Sequence, residues 1–301
     1  MSTRRNLVTG ALVADAASLG LHWLYDQDRI AGLGGDTPEF CATEAGDYQG
    51  VPSYFAHPLK QSGDLTQYGE QLLVLLRVLA AADGTYDQKA YNTAFAGHFG
   101  YGGTYVGYID HAIRGTLNNL AGTEMDAPQG TADVQLPAIS KLPALVAAGL
   151  ESHAPDAVRS TNVSEAADLY GAVATAMLVA ARDGGSAQEI ADAALATADP
   201  SIRPRLDLAC TSPTRSTPEF TAELGLACDL EMGVPSVLHT LLTARSYKHA
   251  IRANILAGGD SCGRAILLGA LTGVLYYVPE DWSARVNAMP SANAQLDKLG
   301  L

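Results

Sequence analysis

A chain of 301 residues, 48% hydrophobic and 17% charged, has the composition of a folded protein and the length for one large domain or two ordinary ones. Its formal net charge of −13 excludes a general binder of nucleic-acid backbones or of anionic membrane surfaces, but leaves room for a small anionic ligand held by a few local donors. Cys41, Cys210, Cys228 and Cys262 form no Cys-x-x-Cys pair, which excludes a disulfide framework and a zinc finger and predicts reduced, core-filling thiols.

The first predicted helix spans 7–21. Arg4-Arg5 ahead of it imitates a secretory signal, but Asp15 interrupts the apolar run and no small-x-small cleavage site follows, so the segment reads as part of the mature fold. The longest uncharged apolar run, 265–278, is too short to span a bilayer. No membrane association and a cytoplasmic location are expected.

A Gly/Pro/polar connector covers 32–64, a length that signals a functional loop. The stretch 68–82 is apolar nearly all round and reads as a central bundle helix. Further helices are predicted over 90–99, 105–120, 138–148, 165–182, 187–198, 218–232, 235–245, 247–256 and 262–277, with connectors at 121–137 and 199–217. Ser186 with Glu189 and Ser216 with Glu219 spell capping boxes. With no alternating β-branched run, the expectation is an all-α protein forming a single domain over 1–301.

Chemistry-bearing residues sit at predicted helix starts. Gly259-Asp260-Ser261-Cys262-Gly263 matches a nucleophile-elbow spacing, but the preceding residues read as helix and no His follows His249, so a serine hydrolase is set aside. Cys262 lies in a first turn, where a thiolate is favoured; adjacent Asp260 opposes it, and an inert packed thiol is expected. The seven His show no zinc-ligand spacing.

Asp15, flanked by small and apolar residues, must find a cation, a metal, several donors or another helix terminus. Asp64 and Thr66 are N-caps or ligands of the helix at 68–82, and Glu70 lies one turn in. Hard oxygen ligands at such positions suit magnesium, and hydroxyls with backbone N–H groups suit phosphate. Tyr101, Tyr105 and Tyr108 stand among Gly102, Gly103 and Gly107, where aromatic faces sandwich a base or sugar ring or simply pack.

The order of these pieces resembles the ADP-ribosylglycohydrolase superfamily, particularly the branch that includes the J1 crystallins. "GALVADAASLGLHWLYD" is similar to its N-terminal Gly-Asp-Ala helix, with Ala14 in place of Gly. "SGDLTQYGEQLLVLL" takes the place of its Thr-Asp-Asp-Thr metal motif, and "FGYGGTYVGYID" and "DVQLPAISKLPALVA" are similar to its middle segments. "NILAGGDSCGRAILLGALTGVLYYVPEDW" is similar to its Gly-Gly-Asp-Thr-Asp-Thr helix and Ile-Pro-x-x-Trp ending.

The resemblance implies an orthogonal multi-helix bundle whose cleft holds two magnesium ions and an ADP-ribose-type substrate cut at ribose C1. Position by position, Thr66 keeps the first Thr, while Gln67, Tyr68 and Gly69 replace Asp, Asp and Thr. Asp260 keeps the first Asp of the second motif and Ser261 stands for its Thr, while Cys262 and Gly263 replace the later Asp and Thr. Magnesium is therefore disfavoured, with at most residual ligation through Asp15, Thr66 and Asp260. Arg264 is expected to pair with Asp260, or with a ligand phosphate, in the space a metal would take.

Two classes of function follow. One is a hydrolase of an N- or O-glycosidic small substrate, with Asp260, Asp64, Asp15 or Glu70 activating water and Thr66, Tyr101, Gly102, Gly103, Tyr105, Asp133, Gln135, Ser261, Cys262 and Arg264 contacting the substrate. The other is a non-catalytic, crystallin-like binding or structural protein that keeps the fold, and with it an ADP-ribose pocket.

Overall fold

The N-terminal segment has no polar stripe. Every residue from Asn6 to Ser18 is buried, which only a helix enclosed on all sides can satisfy. In the computed structural model, which describes residues 2–122 and 125–301, this helix (α1, Thr3–Ser18) lies along the C-terminal α14 (Ser261–Tyr276). Small residues set how close the two come: a Cβ on Gly10 would collide with the carbonyl of Gly269, and one on Gly269 with Ala14 and the carbonyl of Gly10.

Between them in sequence come α2 (Gln27–Gly34), α3 (Gln67–Ala81), α4 (Gln88–Phe99), α5 (His111–Leu120), α6 (Leu142–Ala148), α7 (Ala154–Arg159) and α8 (Glu165–Arg182). There follow α9 (Ala187–Thr197), α10 (Arg203–Cys210), α11 (Thr217–Leu224), α12 (Leu230–Thr243) and α13 (Tyr247–Leu256); α15 (Glu280–Ser283) and α16 (Met289–Lys298) close the chain. The described residues contain no strand, only three isolated bridges, so the fold is all-α. Around the α1–α14 pair, α3, α6, α8, α12 and α13 complete the core. No described helix is long and apolar enough to cross a membrane.

Both capping boxes form, at Ser186 with Glu189 and Ser216 with Glu219. Elsewhere the predicted boundaries move for identifiable reasons. The helix expected from 105 starts at His111, because the Asp110 carboxylate accepts from the N–H of Ile113 at 2.8 Å and the glycine-rich stretch before it stays a loop. The segment 138–148 splits into a 3-10 turn (Leu136–Ile139) and α6, each with a proline near its start. The segment 218–232 ends at Leu224, where Gly225 takes φ 115°. Pro235 lies inside α12 without ending it. In the connector assigned to 199–217 the structure holds α10, started by Pro204.

Candidate functional site

Gly258 and Gly259 adopt φ of 76° and 62° and turn the chain from α13 into α14. The corner is stitched to the segment after α1: Gly259 donates its N–H to the carbonyl of Leu24, and its own carbonyl accepts from Trp23. This stitching carries His22 to Asp260. Fully buried Asp260 caps α14 through the N–H of Gly263 at 2.8 Å, and also accepts from His22 Nε2 at 2.9 Å and from the Tyr68 hydroxyl at 2.7 Å. Burial pushes its pKa up, but the bond and charge of His22, joined by Tyr68 and Gly263, outweigh burial and hold the carboxyl below its usual value.

The network continues outward. His22 Nδ1 is 2.7 Å from His57 Nε2, and His57 Nδ1 has no partner. Burial, followed by the neighbouring His22, holds His57 well below the usual imidazole range, so the ring is neutral. Trp23, itself at φ 62°, stacks on His22 with centroids 4.4 Å apart; Tyr54 and Tyr108 pack against its other sides at 5.7 and 5.1 Å. These rings roof the buried network.

Asp15, also fully buried, faces the start of α3. It accepts from the N–H of Thr66 at 2.8 Å and from the Thr66 hydroxyl at 2.5 Å, while that hydroxyl accepts from the N–H of Tyr68. Desolvation outweighs these bonds and pushes Asp15 up to about 7. Cys262 packs beside the Asp15 backbone, its Sγ 3.7 Å from the carbonyl; burial, then Asp15 and Asp260, drive its thiol well up, so it is no thiolate.

Asp15, Thr66, Asp260, Ser261 and Cys262 thus meet where α1, α3 and α14 converge. Glu70 lies on α3 nearer the surface and accepts from His98 Nε2 at 2.9 Å. Asp64 stands apart from this group, at the loop that accepts from the N–H of Gln61 at 3.0 Å and the side chain of Asn287 at 2.8 Å. Tyr101 is fully exposed, with Gly102 at φ 75°, whereas the Tyr105 hydroxyl donates to the carbonyl of Tyr108 and Lys60 sits over its ring. Asp133 is bound by the N–H of Gln135, by Asn162 and by His111, as part of a second polar group.

The expected Asp260–Arg264 ion pair does not form. Buried Arg264 instead donates to the Asn254 side chain at 2.8 Å, the Asn254 carbonyl at 3.3 Å and the Gly258 carbonyl at 2.5 Å, closing the end of α13. A guanidinium has a planar fork of donors, and free carbonyls at a helix end are its natural partners.

His22, His57, Asp110 and Lys141 are site neighbours that sequence reasoning passed over. Burial raises Asp110 to about 7 and lowers Lys141 to about 7; Asp110 Oδ2 has no partner, while Lys141 Nζ donates to Thr161 and to the Pro137 carbonyl. Lys141 carried a legible signal as the lone charge in the apolar run 136–148. The two histidines carried none, because what joins them is the stitched corner.

Magnesium does not fit the side chains present. The buried Tyr68 phenol is held far on the protonated side by desolvation and Asp260, so it offers that carboxylate a proton and not a metal bridge. A Cβ on Gly69 would collide with Asp15 Oδ2, and one on Gly263 would fall 2.7 Å from Asp260 Oδ2. The carboxylates therefore lie in the space that side chains at 69 and 263 would need. Among the described residues no group of three or more His, Cys, Asp or Glu is placed to hold a metal ion.

The family model of the ADP-ribosylglycohydrolases matches residues 3–300, and the chain belongs to that family. It is similar to crystallin J1A of Tripedalia cystophora, 24% identical over 304 aligned positions that cover 93% of this chain and 90% of that one. Its fold matches a solved ADP-ribosylglycohydrolase-related protein complex with a TM-score of 0.72, at 18% identity and with 98% and 97% of the two chains covered.

Proposed function

We propose that this protein is a member of its family that does not cleave ADP-ribosyl bonds, and that recognition of an ADP-ribose-like small molecule falls to the glycine-rich loop residues Tyr101, Gly102, Gly103 and Tyr105. One observation carries the reading. Asp260, the carboxylate kept from the second metal motif, is fully buried and already holds three donors, from His22, Tyr68 and Gly263. A catalytic carboxylate needs an oxygen that water, substrate or metal can reach, and this one is wholly enclosed as the cap of α14. Incubation with an ADP-ribosylated peptide and with free ADP-ribosyl compounds, with and without magnesium, tests it. No turnover in either condition, with thermal stabilisation by ADP-ribose, is expected; magnesium-dependent turnover refutes the reading.

A second reading rests on Asp15, whose carboxyl is raised to about 7, the range a general base or acid needs. It keeps the protein a metal-independent hydrolase, and it predicts turnover without magnesium that rises as pH passes about 7 and disappears in Asp15→Asn.

A further inference from the structure

Outside the buried network, three side chains stand in a row that the reading above does not use. Thr104 Oγ1 is 2.8 Å from His98 Nδ1, and His98 Nε2 is 2.9 Å from Glu70 Oε2. We propose that Thr104, His98 and Glu70 form a nucleophile–base–positioning triad for acyl transfer, with small, negatively charged carboxylic esters as the substrate class.

The order of the three groups fixes their protons. The Glu70 carboxylate only accepts, so it holds the proton of His98 on Nε2, which leaves Nδ1 as the acceptor facing the Thr104 hydroxyl. Burial grades along the row. The Glu70 and His98 side chains are 16% and 10% exposed, whereas Thr104 is exposed to solvent. A nucleophile within reach of substrate and a shielded base is the arrangement acyl transfer needs.

The loop that presents Thr104 is built to one shape. The N–H of Tyr105 donates to the carbonyl of His98 at 3.0 Å and that of Gly103 to the carbonyl of Gly100 at 2.9 Å, while among the described residues the N–H of Thr104 donates to nothing. A Cβ on Gly103 would collide with the His98 carbonyl, so only glycine lets the loop close this tightly on the end of α4. Next to the hydroxyl is a cavity of about 190 Å³ lined by Val74, Arg77, Ala94, Gly97, His98 and Thr104. Its volume suits an acyl group of a few atoms. Arg77, exposed and without an ion-pair partner among the described residues, puts a positive charge in its wall.

In the reaction, Thr104 Oγ1 attacks the ester carbonyl carbon and its proton passes to His98 Nδ1. The bond from that carbon to the alcohol oxygen breaks, the alcohol leaves with the proton from His98, and the acyl group stays on Thr104 as an ester. Water then attacks this ester with His98 as base, which releases the carboxylic acid and restores the hydroxyl. The free N–H of Thr104 and the Arg77 guanidinium are the donors available to the developing oxyanion.

The test uses the full chain with p-nitrophenyl acetate and mono-p-nitrophenyl succinate. Hydrolysis faster for the succinate, lost at least a hundredfold in Thr104→Ala and His98→Asn and retained in Thr104→Ser, is expected, with an acyl mass adduct on Thr104 after acid quench. Glu70→Gln should lower kcat with KM unchanged and displace the pH profile, which a merely structural contact would not do. Equal hydrolysis by the parent chain and Thr104→Ala, or an adduct elsewhere, overturns the proposal; melting temperatures show that the exposed-loop variant is folded. Because neither ester carries ADP-ribose, this outcome and that of the ADP-ribosyl assay are read separately.

Discussion

Replacing Tyr68 by Phe removes one oxygen and leaves the ring in place. That oxygen donates at 2.7 Å to Asp260, with Tyr68 1% and Asp260 0% exposed, so no solvent stands ready to take over the bond. A hydrogen bond to a charged group contributes about 1.5–3 kcal/mol, and because the ring still fills its site no cavity term adds to this. His22 and Gly263 continue to hold the carboxylate, so the loss should fall near the middle, about 2 kcal/mol at pH 7. The sign with pH follows from the direction of the Asp260 shift. A carboxyl held below its unfolded value contributes stability above that value and loses it as pH falls through the folded pKa. Removing a donor raises the folded pKa, so the acid limb of the variant begins at a higher pH and its deficit shrinks once both proteins protonate. Urea unfolding of both chains at pH 7 and down through the acid limb below pH 3.8, with equal m-values, measures this. A loss below about 0.5 kcal/mol at pH 7 would refute the reasoning, since it is what an unused surface hydroxyl gives.

Asp15→Asn should change sign with pH. The folded carboxyl, raised from 3.8 to about 7, binds more protons than the unfolded one between these values, so the parent chain loses stability as pH climbs through that window. The amide cannot ionise, so relative to the parent it should gain between pH 4 and pH 8, by at most about 4 kcal/mol for a shift of this size. An identical difference at both pH values in urea titrations would show that Asp15 is ionised throughout. Gly69→Ala sets a methyl against Asp15 Oδ2 and should cost about 1–3 kcal/mol, read as a lower urea midpoint. A silent substitution there would mean that the carboxylate has somewhere else to go.

How much of this was legible follows from where each signal resides. Helices α8, α13 and α14 announce themselves by long apolar periods and flanking caps, and their observed spans fall within one residue of those read from the sequence. Short helices such as α7 and α10 bury only two or three residues each and carry a proline as their second residue, so their periodicity cannot be told from a connector. Asp15, inside one predicted helix, and Asp64, just ahead of another, both look in sequence like carboxylates with a candidate role. What separates them is tertiary: Asp15 points from the enclosed α1 at the mouth of α3, whereas Asp64 precedes that mouth and is drawn to the loop at Asn287. Nearness in sequence makes Arg264 look like a counter-charge to Asp260. The helix end it closes becomes visible only when the glycine corner has turned.

The two carboxylates at the heart of the bundle have the same burial and opposite fates. Asp260 receives donors from three different residues, one of them an imidazole, and stays on the ionised side. Asp15 receives two bonds from one threonine, and burial wins. A pair of divalent cations would need several negative charges to offset them, but under neutral conditions this centre presents one committed carboxylate and one on the edge of protonation. Gly69 and Gly263 belong to the same arrangement. With no side chain at either position, each carboxylate lies down against a helix start, where N–H groups and the positive end of the helix supply part of what a metal would have supplied. Glycine at 69 and 263 and the enclosed position of the two carboxylates are thus one arrangement, and an aspartate introduced at 67 or 68 alone would leave both carboxylates where they lie.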